Sequence, residues 1–497
     1  MALNAHSTLD DEGRWAIIDI GSNSVRLVIY DGPRRAPFPI CNEKALCGLG
    51  RDMDDDGTLN PQAVDAALAV LARFKTLLAE HGDPPTRVVA TAAVREASNG
   101  QDFVEAVERV GFAIEVILGT EEARLSGLGV ISFEPEATGL VGDMGGGSLE
   151  LICLDNGEIR EAASLSIGPF RLMKHSGGDQ KVASKEAETA IGGIEWLKRV
   201  KTPVLYAVGG AWRAIARINM QLRHHPLSVL HHYEISARQV IETCELVARQ
   251  SRSSLEETPG VSSKRIDTLP YAALVLRSVM ISAECEKMVV SAGGLREGLL
   301  YDALGPETRQ VDPLLAGARY LGRRFSPDAR MGDAAAEFTN GIFKNETSVQ
   351  KRLRVAACLL TDAGAYFHPD LRSIQAFETA LRAPFYGVTH PERAMVALSL
   401  FCRHEGANGP FPEAQILAML TEEERKRAIE VGLALRFVSA FAPKAPNAIE
   451  ACFISHEAGR LSFIGPTRLK SLMDDVARRR LESLAALLGA KASVSFV

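Results

Sequence analysis

The sequence predicts an α/β protein made of two related halves, followed by a helical region and a small mixed α/β end. Three observations predict it. Apolar β-type runs alternate with helical patterns along the first part of the chain, which is the signature of layered α/β structure. One unit occurs twice: IIDIGSNSVRLVIY at 17–30 and VGDMGGGSLELICL at 141–154 both read apolar strand, Asp, small turn residues, apolar strand, which indicates an internal duplication. From about residue 310 glycine thins out and long Ala/Leu/Arg patterns take over, up to about residue 440.

Each element follows in order. Residues 15–30 form a β-hairpin around Gly-Ser-Asn-Ser. An amphipathic helix covers about 61–81, a strand 87–93, a helix about 101–110 and a strand 112–118, with a helix from Glu121 to Ile131. The pattern restarts at 139–159 with strand, Gly-rich turn and strand. A helix at about 183–199 follows, then a strand, VLYAVGG, running into a helix. At the far end, two strand-like runs in EACFISHEAGRLSFIG precede a basic helix around 468–488 and a final strand, ASVSF.

The bulk numbers fit a multi-domain globular chain. It has 497 residues, 46% hydrophobic and 24% charged. No window holds the ~18 uninterrupted apolar residues of a membrane span. The start, MALNAHSTLDDEGRW, is polar and acidic and lacks the pattern of a signal peptide, so a cytoplasmic location is expected. The eight cysteines form no CxxC pair and read as free thiols. Net charge is −6, so no nucleic-acid partner is expected and a polyanion must be held by a local positive cleft.

The chemistry gathers at the two hairpin turns. Asp19 opens the turn that carries Ser22, Asn23 and Ser24; Asp143 opens the one that carries Gly145, Gly146, Gly147 and Ser148. Concave arrays of backbone N–H groups and small polar side chains bind phosphate oxygens, and glycine lets backbone approach closely. Facing each other, Asp19 and Asp143 suggest a hard cation, with Glu150 along the same strand; Mg²⁺ suits such oxygen ligands. In GTEEARLSGLGV, Glu121 and Glu122 open a helix, where acidic residues either cap it or reach a cleft to activate water. Arg95, just past the strand RVVATAA, is placed to grip a phosphate, or is a surface residue. Gly209 and Gly210 in VLYAVGGAWRAIA, and the similar turn in SAGGLREG, abut a phosphate or simply pack tightly.

Taken together, AIIDIGSNSVRLVIY, ATAAVREASN, ILGTEEARLSGLGV, GDMGGGSLELI, SLSIGPFRL, AVGGAWRAIA and VVSAGGLREGLL resemble, in order, the exopolyphosphatase and guanosine-pentaphosphate phosphohydrolase family. That family belongs to the superfamily of actin, sugar kinases and heat-shock chaperones. The resemblance implies two actin-like (ribonuclease H-like) domains, 1–135 and 136–308, flanking a cleft. It further implies a helical His-Asp-like domain at 309–440 and a small C-terminal α/β domain at 441–497. It implies Glu122 as catalytic base, Asp143 in metal or water positioning with Glu150 in a similar role, and Asp19 in the first phosphate loop, where the paired carboxylates also offer it as a metal ligand. Phosphate binding falls on the two turns and on Arg95, with Arg26 joining it. The implied activity is processive release of orthophosphate from inorganic polyphosphate, with Mg²⁺ or another divalent cation and a homodimeric chain. The alternative substrate is guanosine pentaphosphate. A superfamily kinase or chaperone, and a non-catalytic sensor, are the competing readings.

In the helical region, LLTDAGAYFHPD carries Thr361 where an intact His-Asp motif has His before Asp362, while His368, His390 and His404 remain. A second metal-dependent centre is not expected there. Lys351, Arg352 and Arg354, with Arg478, Arg479 and Arg480, line a polyanion path or form solvated helix faces.

Overall fold

The computed structural model describes residues 13–50, 57–200, 202–258 and 265–497. The first twelve residues, on which the reading of the N-terminus rests, lie outside the described residues. The chain divides into two compact units, 1–310 and 311–497.

In the first unit, β1 (Trp15–Ile20), β2 (Ser24–Asp31), β3 (Phe38–Leu46), β4 (Thr86–Ala90) and β5 (Ile114–Val116) form one sheet in the order β3-β2-β1-β4-β5. The first three strands are antiparallel, and β1, β4 and β5 are parallel. Helices α1 (Pro61–Glu80), α2 (Ala92–Glu96), α3 (Gly100–Val110) and α4 (Gly119–Phe133) accompany it. The α1 pattern works as an amphipathic stripe: Ala63, Ala67, Leu71, Phe74 and Leu78 are buried at helical spacing. Asn60 caps its first turn through Oδ1, and Pro61 sits where no N–H is needed.

A second sheet repeats the design. It contains β6 (Gly139–Met144), β7 (Leu149–Asp155), β8 (Glu158–Leu165), β9 (Val204–Val208), β10 (Glu234–Ser236) and β11 (Lys287–Val290), in the order β10-β11-β9-β6-β7-β8. Apart from the added edge strand β10, β8-β7-β6-β9-β11 matches β3-β2-β1-β4-β5 position by position and direction by direction. Its helices are α5 (Pro169–His175), α6 (Gln180–Gly192), α7 (Gly210–Leu222), α8 (Ala237–Arg249), α9 (Arg252–Glu257), α10 (Leu269–Ser282) and α11 (Leu295–Asp302). Trp212 of α7 is fully buried in this half, with its indole N–H on Ala272 O at 3.1 Å.

The helix α4 packs on α11 through glycines at a backbone-to-backbone approach. A Cβ on Gly298 would sit 1.8 Å from Leu125 O, and one on Gly293 would sit 2.2 Å from Gly129 O. Only hydrogen fits at these points.

The second unit is helical. Its main helices run Pro313–Phe325, Met331–Thr339, Ser348–Leu359, Arg372–Arg382, His390–Glu405, Glu422–Phe441 and Asp475–Leu487. The end of the chain forms a three-stranded sheet of β12 (Phe453–Glu457), β13 (Arg460–Gly465) and β14 (Lys491–Phe496). Arg354 is fully buried among Glu346, Asn340 and Thr339, so it is an interior ion pair rather than a solvated or anion-binding residue.

Candidate active site

The repeated hairpins bring their turns to one cleft of about 220 Å³ in the first unit. The two turns are built alike. Gly21 N–H donates to Ser24 O, and Gly145 N–H donates to Ser148 O, each at 3.0 Å. The turn carbonyls are held from behind: Gly50 N–H reaches Ser22 O at 2.7 Å, and Gly168 N–H reaches Gly147 O at 3.1 Å. A trans peptide points its N–H opposite to its carbonyl, so the amides of Asn23 and Ser148 are presented on the other side of these turns. Ser22, Asn23, Ser24 and Gly145 to Ser148 all line the cleft, as do Gly209 and Gly210. Gly209 has φ +97°, and a Cβ there would meet Met144 O at 2.4 Å, so this close turn requires glycine.

Five carboxyls line the same space: Asp19, Glu122, Asp143, Glu150 and Glu297. Asp19, next to last in β1, lies opposite Arg26, and Asp143, next to last in β6, lies opposite Glu150, so the duplication puts an arginine and a glutamate at equivalent cross-strand positions. Asp19 bonds Arg296 at 3.0 Å. Asp143 Oδ2 accepts from the buried Ser126 hydroxyl at 2.7 Å. Glu150, fully buried, accepts from Ser164 at 3.0 Å. Because α4 turns every 3.6 residues, Glu122 and Ser126 share its cleft-facing side.

Crowding in a dry pocket shapes the protonation of these groups. Burial pushes the Glu122 carboxyl up to about 7, against the opposing pull of Arg95. Burial, reinforced by Glu122 and Asp143, holds Glu150 well above the usual carboxylate range. Asp143 is raised by burial as well.

Arg95 does not line the cleft among the described residues. The strand ends at Ala90, the chain is helical from Ala92, and Arg95 therefore sits on α2. It donates to Ile117 O at 2.8 Å and to Glu122 at 3.2 Å, so it stands behind Glu122 and fixes its carboxylate. Arg26 does line the cleft, with Nε on Asn42 at 2.8 Å.

Sequence reasoning missed four cations. Lys44, Arg213, Arg265 and Arg296 join Arg26 in the lining. Burial and the neighbouring Arg265, Arg26 and Arg296 bring Lys44 down to about 8. Arg213, also buried, is brought down to about 10. Arg265 Nη1 donates to Gly210 O at 2.5 Å, over a glycine whose Cβ would collide with the guanidinium. Arg213 and Arg296 lie inside motifs whose glycines drew attention; Lys44 and Arg265 lie in no motif. This local positive charge inside a chain of net charge −6 is the arrangement a polyanion needs.

The donor set fits a hard divalent cation. Asp19, Asp143 and Glu150 offer only oxygen, the donor type such an ion prefers. They do not form a tight cluster. Among the described residues, the one group of three whose ligand atoms lie within 4.8 Å of one another is Glu134, His231 and His232.

In the second unit, Arg403 is buried between Thr361 Oγ1 (2.8 Å), Asp362 Oδ1 (3.2 Å) and the His404 ring (2.9 Å to Nε2). Ser326 and Lys444 also bond Asp362. Burial and the nearby cations drive His404 down to about 3, leaving it neutral. A guanidinium thus satisfies the carboxylate of the altered His-Asp motif. His368 is exposed and His390 buried.

Known proteins share this architecture. A crystal structure of an exopolyphosphatase from Cytophaga hutchinsonii superposes with a TM-score of 0.54 at 26% identity, covering 58% of this chain and 97% of that one. An Aquifex aeolicus member of the Ppx/GppA family superposes at 0.52 and 26%, covering 59% and 97%. Exopolyphosphatase 1 of Mycobacterium leprae is 28% identical over 309 residues, 59% of this chain and 90% of that protein. Retrograde regulation protein 2 of Saccharomyces cerevisiae is 27% identical over 446 residues, 80% of this chain and 73% of that protein. The exopolyphosphatase C-terminal family model matches residues 332–496. The Ppx/GppA phosphatase family model matches residues 28–307, more than half of the chain, and the chain belongs to that family.

Proposed function

We propose that this chain is an exopolyphosphatase that hydrolyses terminal phosphoanhydride bonds of inorganic polyphosphate and releases orthophosphate. The observation that carries the reading is the meeting, in one cleft, of two phosphate-cradling turns, five cationic side chains and a buried carboxyl poised near neutrality. The exopolyphosphatase names of the relatives support the substrate class.

Glu122 acts as general base. Its carboxylate takes a proton from a water that attacks the terminal phosphorus in line; the new P–O bond forms as the P–O–P bond breaks, and the shortened chain leaves with the electron pair. Arg95 orients Glu122. The turns at Ser22 to Ser24 and Gly145 to Ser148 bind non-bridging oxygens, and Lys44, Arg213 and Arg265 offset the charge of the chain. Asp19, Asp143 and Glu150 would hold Mg²⁺ or another divalent cation, which supplies charge neutralisation and substrate alignment. The proposal includes the division at 135/136, 308/309 and 440/441, a cytoplasmic location and a homodimer. No helix among the described residues is long and apolar enough to cross a membrane.

The test is phosphate release from long-chain polyphosphate with Mg²⁺, for the wild-type chain and Glu122→Gln. We expect activity in the first and a loss of ~10²-fold or more in the second. Turnover confined to guanosine pentaphosphate moves the substrate assignment to that nucleotide. Full activity in the variant removes Glu122 from the role of base.

A further inference from the structure

The C-terminal end of α4 meets the segment that leads into β10. Glu134 caps α4, and His231 and His232 precede β10. Their ligand atoms lie within 4.8 Å of one another. His232 Nε2 touches the Glu134 carboxylate, and His232 is only 6% exposed. None of the three lines the catalytic cleft.

The backbone is set for this meeting. His232 has φ +63°, in the left-handed region that a residue with a Cβ seldom adopts. Its N–H is fixed on Val290 O at 2.8 Å, and Tyr233 N–H on Leu230 O at 3.0 Å closes the turn. The turn holds the two imidazoles with centroids 4.6 Å apart. An unfavoured conformation kept by the surrounding bonds and ending in a histidine aimed at a carboxylate points to a use for that histidine. The Tyr206 phenol nearby is pushed up to about 12, by burial first and then by Glu134.

We propose that Glu134, His231 and His232 form a binding site for a borderline divalent transition ion such as Zn²⁺, separate from the hard-cation carboxylates of the cleft. Two imidazoles and one carboxylate suit first-row transition ions, whereas Mg²⁺ prefers oxygen alone. Proton chemistry shapes the binding. Ala292 N–H donates to His231 Nδ1 at 3.2 Å, so the neutral ring of the metal-free chain carries its proton on Nε2. Ligation through Nε2 moves that proton to Nδ1 and gives up the long Ala292 contact. Imidazole and carboxylate ligate a metal only when deprotonated, so protons compete with the ion and affinity rises with pH.

The test uses the full, metal-stripped chain in excess Mg²⁺, titrated with Zn²⁺ alone by calorimetry in two buffers of different ionisation enthalpy. One Zn²⁺ per chain is expected, with proton release. Glu134→Gln and His232→Gln are each expected to weaken it by roughly tenfold or more. Circular dichroism checks that each variant is folded. Glu134→Gln, on the more open side of the site, keeps the test sound if the His232 variant misfolds. Co²⁺ in place of Zn²⁺ gives visible bands of nitrogen ligation, lost in the same variants. The proposal is overturned if the wild type binds no Zn²⁺, if folded Glu134→Gln binds it unchanged, or if Asp143→Asn abolishes the site instead.

Discussion

Glu122 and Lys44 lie in the same cleft and are both displaced toward neutrality, from opposite sides. Burial raises the carboxyl to about 7, and the base works only when deprotonated, so hydrolysis climbs as pH rises through that value. Burial and three arginines lower the Lys44 ammonium to about 8, and above it the cleft loses a positive charge that holds phosphate. A bell-shaped kcat/KM profile is expected, with limbs near 7 and near 8. Lys44→Met should remove the alkaline limb and keep the acid one. A flat profile between about pH 6 and 9 would contradict both assignments. At this scale the sequence was most legible where chemistry is contiguous: Asp19 to Ser24 and Asp143 to Ser148 each occupy one short motif. Lys44 and Arg265 were not legible, because a lone cation in sequence looks like a surface charge until the fold buries it. Arg95 was found but misplaced, since Ala-Ala after the strand begins a helix that turns its side chain behind Glu122.

Elements were legible in proportion to their apolar periodicity. The hairpins stood out as near-continuous apolar runs, and α1 because its buried positions recur at helical spacing. Strand β3 was missed: FPICNEKAL is an edge strand whose residues after Phe38 are exposed or only partly buried, so it lacks an apolar face. The contact between α4 and α11 was invisible for another reason, because glycine leaves no hydrophobic signal. Gly298→Ala tests its weight. Helix propensity alone predicts a gain of up to ~1 kcal/mol for removing a helical glycine. Packing predicts the opposite, a loss of about 1–3 kcal/mol, because the added methyl meets Leu125 O. A lower Tm for Gly298→Ala is expected; a higher one would mean that α4 and α11 separate easily. Since α4 carries Glu122, phosphate release should fall with it.

The whole chain is two units, and the boundary at 310 is close to the end of the Ppx/GppA match at 307. The M. leprae relative is covered over 90% of its length by a match of 309 residues, so a protein of that extent stands without the second unit. A fragment of residues 1–310 is therefore expected to unfold cooperatively and to release phosphate. Calorimetry and a phosphate assay check this, and an unfolded fragment would show that the helical unit completes the first. The duplication inside that first unit has one more consequence. Two identical halves would present a linear polymer with a two-fold symmetric seat, in which it lies equally well in either direction. Arg26 opposite Asp19 and Glu150 opposite Asp143 break that degeneracy, placing a guanidinium on one wall of the cleft and a carboxyl at the equivalent position of the other. A thread of repeating phosphates, itself without an intrinsic sense, acquires a head and a tail on entering.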